Sequence, residues 1–119
     1  MADKKFISKR ARQEIYTRDN MTCCYCGKEC IAYSVENWSS RSKDVVTLDH
    51  IVPQLEIKQT CATEQEIKQA LACPKNLVCV CNSCNSSKQE TPLYVWCAAK
   101  CFDYGVIIAE IARRIALSA

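Results

Sequence analysis

The sequence is poor in glycine, proline and histidine, with two, three and one copies in 119 residues. It also lacks a long apolar run, since the longest, residues 106–119, is interrupted by Glu110, Arg113 and Arg114. A bilayer-spanning helix needs about 20 apolar residues, so we expect no membrane segment. The N-terminus opens with charged residues and no apolar stretch follows, which predicts a cytoplasmic protein without a secretory signal. This length predicts a single domain over residues 1–119.

Cysteine, by contrast, is abundant, with eleven copies. Extracellular disulfide scaffolds favour even cysteine counts, loop-rich spacings and a signal peptide. The odd count and the few glycines therefore favour metal-bound thiolates together with some small buried thiols.

Two cysteine pairs have the spacing of zinc knuckles, Cys23-x-x-Cys26-Gly27 and Cys81-x-x-Cys84. Two residues between paired cysteines allow a tight turn to present both sulfurs to one tetrahedral ion. Gly27 favours this register because a knuckle turn commonly needs a residue that tolerates positive φ. The sequence therefore predicts one structural zinc with these four ligands.

Other cysteines leave alternatives open. Cys24, Cys30 and Cys79 lie near enough in the sequence to replace a ligand, although Cys79 falls within the apolar alternation of a strand. Cys97 and Cys101 are four residues apart on one helical face, where a second metal site competes with simple core packing. A thiol-redox protein built on the two CxxC pairs is a third interpretation, for which one zinc per chain would be contrary evidence.

The hydrophobic pattern predicts an α+β chain without repeats or low-complexity linkers. The first predicted elements are a helix over about 8–18 capped by Ser8, a polar loop or irregular insertion over 31–44, and a strand over 45–48. A helix begun by the capping box Thr63-x-x-Glu66 and closed by Pro74 comes next. It is followed by a strand over 77–80 and a helical start over 85–88. Two more helices follow, one from Thr91 and Pro92 to about Phe102 with Gly105 as its stop, and one over 106–117.

The final predicted helix carries a broad apolar face of Ile107, Ile108, Ile111 and Ile115. That face either packs on its own domain or forms a homodimer. At the other end of the chain, residues 1–18 contain six basic and two acidic side chains, although the whole chain has a net charge of only +3. This basic segment is either a phosphate-contacting surface or an ordinary solvated helix face.

Four motifs occur in a specific order: Arg18-Asp19-Asn20-x-x-Cys23, Asp49-His50-Ile51-Val52-Pro53, Asn76-Leu77-Val78 and Cys84-Asn85-x-x-Lys88. In this order they resemble the HNH endonuclease family over about residues 10–90. The resemblance implies a small ββα-metal, treble-clef-like domain held together by zinc. The N-terminal helix precedes this core, and helices over about 92–118 extend it.

The resemblance also implies metal-dependent hydrolysis of DNA phosphodiester bonds. His50 would be the general base that activates water, and imidazole suits this task because it titrates near neutral pH. Asp49 and Asn85 would hold one divalent ion on the scissile phosphate, and Asn76 would orient the loop or the base through backbone hydrogen bonds. Because Asn85 stands where many members have histidine, the chain resembles the HNN variant of the family, which would favour Mg²⁺ or Mn²⁺.

Lys88, Arg18 and Arg12 would contact phosphates of DNA, expected to be double-stranded and read with weak sequence preference. The competing structural roles are a buried structural histidine for His50, a turn acid for Asp49, a helix N-cap for Asn85 and a solvent-exposed lysine for Lys88.

Two features qualify this prediction. Asp49 and His50 can serve one site only if their strand bends or ends nearby, because neighbours in a strand face opposite sides. Residues 54–75 replace the family's glycine-rich loop with a capped helix that carries Cys61 and Cys73. The alternative function is a non-catalytic zinc-finger module that binds nucleic acid without cutting it.

Overall fold

A computed structural model describes residues 7–118 of the chain. The basic residues Lys4 and Lys5 of the predicted phosphate-contacting segment lie outside these residues. The helices and strands run in this order: α1 (Lys9–Arg18), α2 (Val35–Arg41), β1 (Val46–His50), α3 (Gln54–Thr60), α4 (Glu64–Ala72), β2 (Leu77–Cys81), α5 (Asn82–Lys88), α6 (Leu93–Lys100) and α7 (Tyr104–Ile115). Among the helices described here, none has the length and apolarity to traverse a bilayer.

The two strands pair antiparallel, with Val46 opposite Cys81 and His50 opposite Leu77. A long connection that contains α3 and α4 joins the two strands. Helix α5 begins at Asn82, directly after β2. The small α+β architecture predicted from the sequence is confirmed. Its consequence is that the end of β1, the end of β2 and the start of α5 share one small region.

Strand β2 is buried at every position, which explains its continuous apolar sequence. On one side, Leu77 packs with Ile15 of α1 and with Leu48 of β1. On the other, the strand shares a core cluster with Trp96 of α6 and Ile107 of α7. Burying each such apolar side chain contributes on the order of 1.5–3 kcal/mol, so the C-terminal helices complete the core around β2.

The predicted helix caps are present at α1 and α4. The Ser8 hydroxyl accepts a hydrogen bond from the backbone N–H of Ala11 at 3.0 Å, and Thr63 accepts one from Glu66 at 3.1 Å. A capping side chain satisfies one of the backbone donors that a helix start leaves unpaired. These two helix starts are therefore confirmed as local features of the sequence.

The prediction of a loop or irregular insertion over 31–44 is wrong, because residues 35–41 form the regular helix α2. Ser34 caps this helix by accepting from the Asn37 backbone N–H at 3.0 Å. The serines that suggested a loop bond within the helix instead, for example Ser39 to the Val35 carbonyl at 3.0 Å. Residues 54–75 likewise hold two helices, α3 and α4, where one was predicted.

The predicted helix stop at Gly105 is also wrong. Helix α6 ends earlier, because Cys101 adopts a left-handed conformation with φ 59°. Helix α7 then begins before the predicted position, since the Asp103 side chain accepts from the Val106 backbone N–H at 3.1 Å. Gly105 therefore lies inside α7, whose buried positions are Ile107, Ile111 and Arg114.

Candidate active site and metal centre

The two CxxC knuckles meet in the folded chain. Each of Cys23, Cys26, Cys81 and Cys84 offers a sulfur, and these four atoms all lie within 4.8 Å of one another. The Cys26 and Cys81 sulfurs are 3.8 Å apart. Zinc–sulfur bonds of about 2.3 Å in a tetrahedron place sulfurs about 3.8 Å apart. The cluster could therefore hold zinc with little rearrangement.

Backbone geometry explains how each knuckle presents its sulfurs. Gly27 has φ 79°, the positive value predicted for the turn after the first pair. The Cys26 N–H points at the Cys23 sulfur and the Cys84 N–H at the Cys81 sulfur, both at 3.5 Å. A hydrogen bond from the Cys84 thiol is the main cause that lowers the pKa of Cys23. These donors favour a thiolate, which is the form that binds metal.

The neighbouring cysteines are core residues. Burial raises the pKa of the Cys24 thiol to about 12, and its backbone N–H bonds to the Cys79 carbonyl at 2.9 Å. Cys30 and Cys79 are both buried, and neither sulfur belongs to the four-sulfur cluster. Within residues 7–118 the four-sulfur cluster includes neither Cys97, which is buried, nor Cys101, which is exposed.

His50 is the last residue of β1 and is almost fully buried. Its Nε2 lies 2.8 Å from the carbonyl oxygen of Leu71. A carbonyl only accepts hydrogen bonds, so neutral His50 carries its proton on Nε2 and keeps the Nδ1 lone pair. Leu71 belongs to the last turn of α4, where carbonyls lack partners within the helix. The inserted helix thus fixes the tautomer of His50.

Asp49 and His50 line the same pocket, of about 250 Å³, together with Asn85. Strand β1 ends at His50 and the chain bends through Ile51, which is the condition that the sequence required. The Asp49 Oδ2 accepts a hydrogen bond from the Tyr25 hydroxyl at 2.6 Å. Burial raises the pKa of Tyr25 well above its usual value, so its hydroxyl stays a donor.

Asn76 holds the bend that follows His50. Its Oδ1 accepts from the Val52 backbone N–H at 2.8 Å, and its Nδ2 donates to the Val52 carbonyl at 3.2 Å. The Asn76 carbonyl also accepts from the Ile51 N–H at 2.9 Å. Three bonds thus set the path of the chain leaving His50, and they are of the backbone kind that the sequence suggested for this residue.

Asn85 lies inside α5, whose N-cap is Cys81, so the N-cap role considered for Asn85 is wrong. Its Nδ2 donates to the Thr47 hydroxyl at 2.9 Å and to the Leu48 carbonyl at 3.2 Å. Both bonds use the amide nitrogen, so they fix the orientation of the Asn85 side chain. The oxygen has no hydrogen bond within residues 7–118, and Asn85 borders the pocket that contains Asp49 and His50.

Lys88 differs from both roles considered for it, a phosphate contact and an exposed lysine. Its side chain is fully buried, and its Nζ lies 3.0 Å from Asp49 Oδ2. The cation therefore faces inward and offsets the charge of the pocket carboxylate. Sequence spacing placed Lys88 near Asn85, but nothing local indicated that it would point into the core.

Three other pocket residues were missed by the sequence analysis: Gln54, Gln89 and Glu90. The Glu90 carboxylate accepts from the Gln54 backbone N–H at 3.2 Å, which joins the start of α3 to the chain after α5. The only signal in the sequence for these residues was the acidic side chain of Glu90, two positions after Lys88. Tyr25, the partner of Asp49, was not predicted either, because its position within the first knuckle gave no sign of a role in the pocket.

Comparisons with known proteins bear on this geometry. No protein-family model matches the chain. Over 103 residues, 87% of the chain, it is 30% identical to the CRISPR-associated endonuclease Cas9 of Corynebacterium diphtheriae. The crystal structure of the Type II-C Cas9 enzyme from Actinomyces naeslundii matches 89% of the chain with a TM-score of 0.54 and 26% identity. The chain is homologous to a segment of Cas9.

This homology is consistent with an HNH-type nuclease domain, as the sequence motifs predicted. The chain spans only 7% of the Corynebacterium Cas9 and 10% of the Actinomyces Cas9. The similarity to Cas9 therefore concerns one small segment of much larger proteins.

Arg18 was predicted to contact DNA, but in this structure its side chain forms hydrogen bonds inside the fold. Its guanidinium pairs with Asp19 at 2.6 Å and donates to the carbonyls of Leu77 at 2.6 Å and Pro74 at 2.9 Å. Its side chain is only 6% exposed. Because its donors are used within the fold, Arg18 has a structural role in this structure, and its contact with DNA stays a prediction.

We predict that Arg18→Ala lowers the free energy of unfolding by about 3–5 kcal/mol, because it leaves the buried Asp19 without its nearest cation. Urea denaturation measures this, and Arg10→Ala is the matched control. Arg10 pairs with Glu14 on the surface with a 91% exposed side chain, so its loss should change stability by less than about 0.5 kcal/mol. Unchanged stability with weakened DNA binding in Arg18→Ala would contradict the structural role.

Arg12 keeps its position near the surface. It lies on α1 beside Lys9, and both border a pocket along β1. One guanidinium nitrogen is 3.5 Å from the Tyr16 hydroxyl. Of the three basic residues predicted to contact phosphate, Arg12 is thus the one that the fold leaves in an open pocket.

Proposed function

We propose that the chain is a metal-dependent DNA endonuclease in which His50 is the general base. The observation that carries this proposal is the 2.8 Å bond between His50 Nε2 and the Leu71 carbonyl, at a pocket shared with Asp49 and Asn85. That bond leaves Nδ1 as the basic nitrogen of neutral His50. A base, a carboxylate and an amide oxygen in one pocket suit hydrolysis of a phosphodiester.

Asp49 and Asn85 would hold the divalent ion. Tyr25 and Lys88 both contact Asp49 through Oδ2, and no hydrogen bond within residues 7–118 uses Asp49 Oδ1. A carboxylate and an amide oxygen are hard donors, which suit Mg²⁺ or Mn²⁺. When bound there, such an ion supplies positive charge for the scissile phosphate and the leaving oxygen.

Side chains and backbone groups of the protein carry out the proton transfer and position the site. Nδ1 of His50 accepts a proton from the attacking water, while the Leu71 carbonyl keeps the ring in place. Asn76 fixes the bend after His50, and Tyr25 with Lys88 fixes the Asp49 carboxylate.

A structural zinc in the four-cysteine cluster would hold this site together. Cys81 ends β2 and Cys84 lies in α5, the helix that carries Asn85. Zinc between these residues and the Cys23 knuckle would anchor α5 relative to β1, and so Asn85 relative to His50. We further propose that the partner is double-stranded DNA bound with weak sequence preference, because phosphate contacts carry no base information.

A plasmid-nicking assay tests the proposal. Zinc-loaded protein should convert supercoiled plasmid to nicked or linear forms with Mg²⁺ or Mn²⁺, and not when only the structural zinc is present. Metal-free buffer is preferable to EDTA, since a chelator also removes zinc. DNA binding without nicking under every metal condition would overturn the proposal and indicate the non-catalytic zinc-finger module instead.

A further inference from the structure

A second pocket, of about 620 Å³, lies along β1 between α1 and the start of α2. We call it the aromatic groove and define it by six of its lining residues: Lys9, Arg12, Tyr16, Tyr33, Trp38 and Asn82. Two carry positive charge and three carry aromatic rings. Its lining, as the described part of the chain shows it, contains no carboxylate. This composition favours a flat, anionic ligand.

Two rings of the groove remain open to solvent. Tyr33 is 65% exposed and Trp38 46% exposed, and their ring centroids lie 6.0 Å apart with planes inclined at 52°. Aromatic side chains usually bury their large apolar faces, so neighbouring exposed rings at a pocket form a ready stacking surface. Nucleobases stack on such rings with little regard to sequence.

On the cationic side of the groove, one hydrogen-bond donor lacks an acceptor among the residues described. One guanidinium nitrogen of Arg12, Nη2, is buried and has no hydrogen-bond partner among the residues described. A buried donor without an acceptor is costly, and a charged one more so. A phosphate oxygen would satisfy Arg12, and Lys9 adds a second positive charge at the same pocket.

The aromatic groove also borders the candidate active site. Leu48 lines both pockets, and Thr47, in the wall of the groove, accepts the hydrogen bond that positions Asn85. Thr47 and His50 are three strand positions apart, which is about 10 Å. A strand entering one pocket can therefore continue into the other.

We propose that the aromatic groove binds an unpaired nucleotide of the strand being cut, with its base on Trp38 and Tyr33 and its phosphate on Arg12. This inference rests on the proposed function for its choice of DNA, and it adds that one nucleotide of the strand being cut is unpaired from the bound duplex at this groove. It assigns the helix α2, which the sequence suggested was a loop, to holding a single-stranded segment beside the catalytic pocket. Asn82 is positioned to contact a base edge in the same groove.

The test uses the full chain with His50→Ala to prevent cutting, and a fluorescent eight-nucleotide single-stranded DNA as the probe. Trp38→Ala should weaken binding roughly 5- to 150-fold, the range for loss of one base-stacking ring. Trp38→Phe should retain most of the affinity and shows that folding is intact. Arg12→Ala should reduce the slope of binding against salt by about one.

Two controls isolate stacking. Tyr94→Ala removes an exposed ring, 63% accessible, from a different aromatic pair on α6 and α7, and should leave binding unchanged. An abasic oligonucleotide of equal length should bind Trp38→Ala and the parent protein equally well.

Equal binding of the normal oligonucleotide to the parent protein, Trp38→Ala and Arg12→Ala would overturn the inference. Metal-dependent nicking by the wild-type protein would then leave the proposed function standing. Loss of stacking-dependent binding in Trp38→Ala, in a chain that never nicks DNA, would instead support the groove and reject the catalytic function.

Discussion

Replacing His50 with alanine is expected to slow metal-dependent plasmid nicking by about 10²- to 10⁴-fold, the usual contribution of a positioned general base. The structure gives the reason, because Nε2 is held by the Leu71 carbonyl and only Nδ1 can accept a proton from water. No other histidine exists in the sequence to replace it. The rate is measured as loss of supercoiled plasmid under zinc-loaded conditions with Mg²⁺.

The variant must be shown to remain folded, since His50 is buried and loses one hydrogen bond. Unchanged zinc content and a similar thermal transition would establish this. Added imidazole should restore part of the nicking rate, because alanine leaves space where the ring stood. Undiminished cutting by His50→Ala would show that another group activates the water.

Replacing Cys81 with serine is expected to abolish stoichiometric zinc binding and to unfold the chain at 25 °C. Structural zinc in small domains contributes an apparent 10–16 kcal/mol, which equals or exceeds the whole stability of a typical domain, about 5–15 kcal/mol. Cys81 is fully buried at the end of β2, so its loss also disturbs the central strand. Zinc is measured by release on thiol titration, and folding by circular dichroism.

Cys101→Ser is the matched control for this experiment. Cys101 is exposed and lies outside the four-sulfur cluster, so this variant should retain one zinc per chain and its thermal transition. Full zinc content in Cys81→Ser would contradict the ligand set. Full zinc content with lost secondary structure would show that Cys81 supports the strand without binding the metal.

Short-range features were largely predictable from the sequence. The caps at Ser8 and Thr63 and the positive φ of Gly27 depend on a few adjacent residues, so their signals were local. The two strands could be predicted because β-branched and apolar residues were concentrated in them. The loop prediction over 31–44 failed because serine favours helix caps and turns, and here Ser34 was the cap of a helix.

The orientation of charged side chains was not predictable in the same way. Arg18 and Lys88 both looked like surface cations, yet one binds carbonyls of the β2 region and the other faces Asp49. Their partners lie 59 and 39 positions away in the sequence. No local pattern encodes such distances, because they arise only when α1 and α5 pack against the strands.

The sequence by itself determined which residues could form a four-sulfur cluster, where α1 and α4 begin and which motifs occur in the order typical of HNH nucleases. Ligand spacing, helix caps and strand composition depend on residues that are close in the sequence, so they can be predicted from the sequence alone. Only the tertiary structure decided that Asp49 and His50 share a pocket, and that Leu71 sets the histidine tautomer. It also decided which cations face outward, because these outcomes depend on how distant elements pack together.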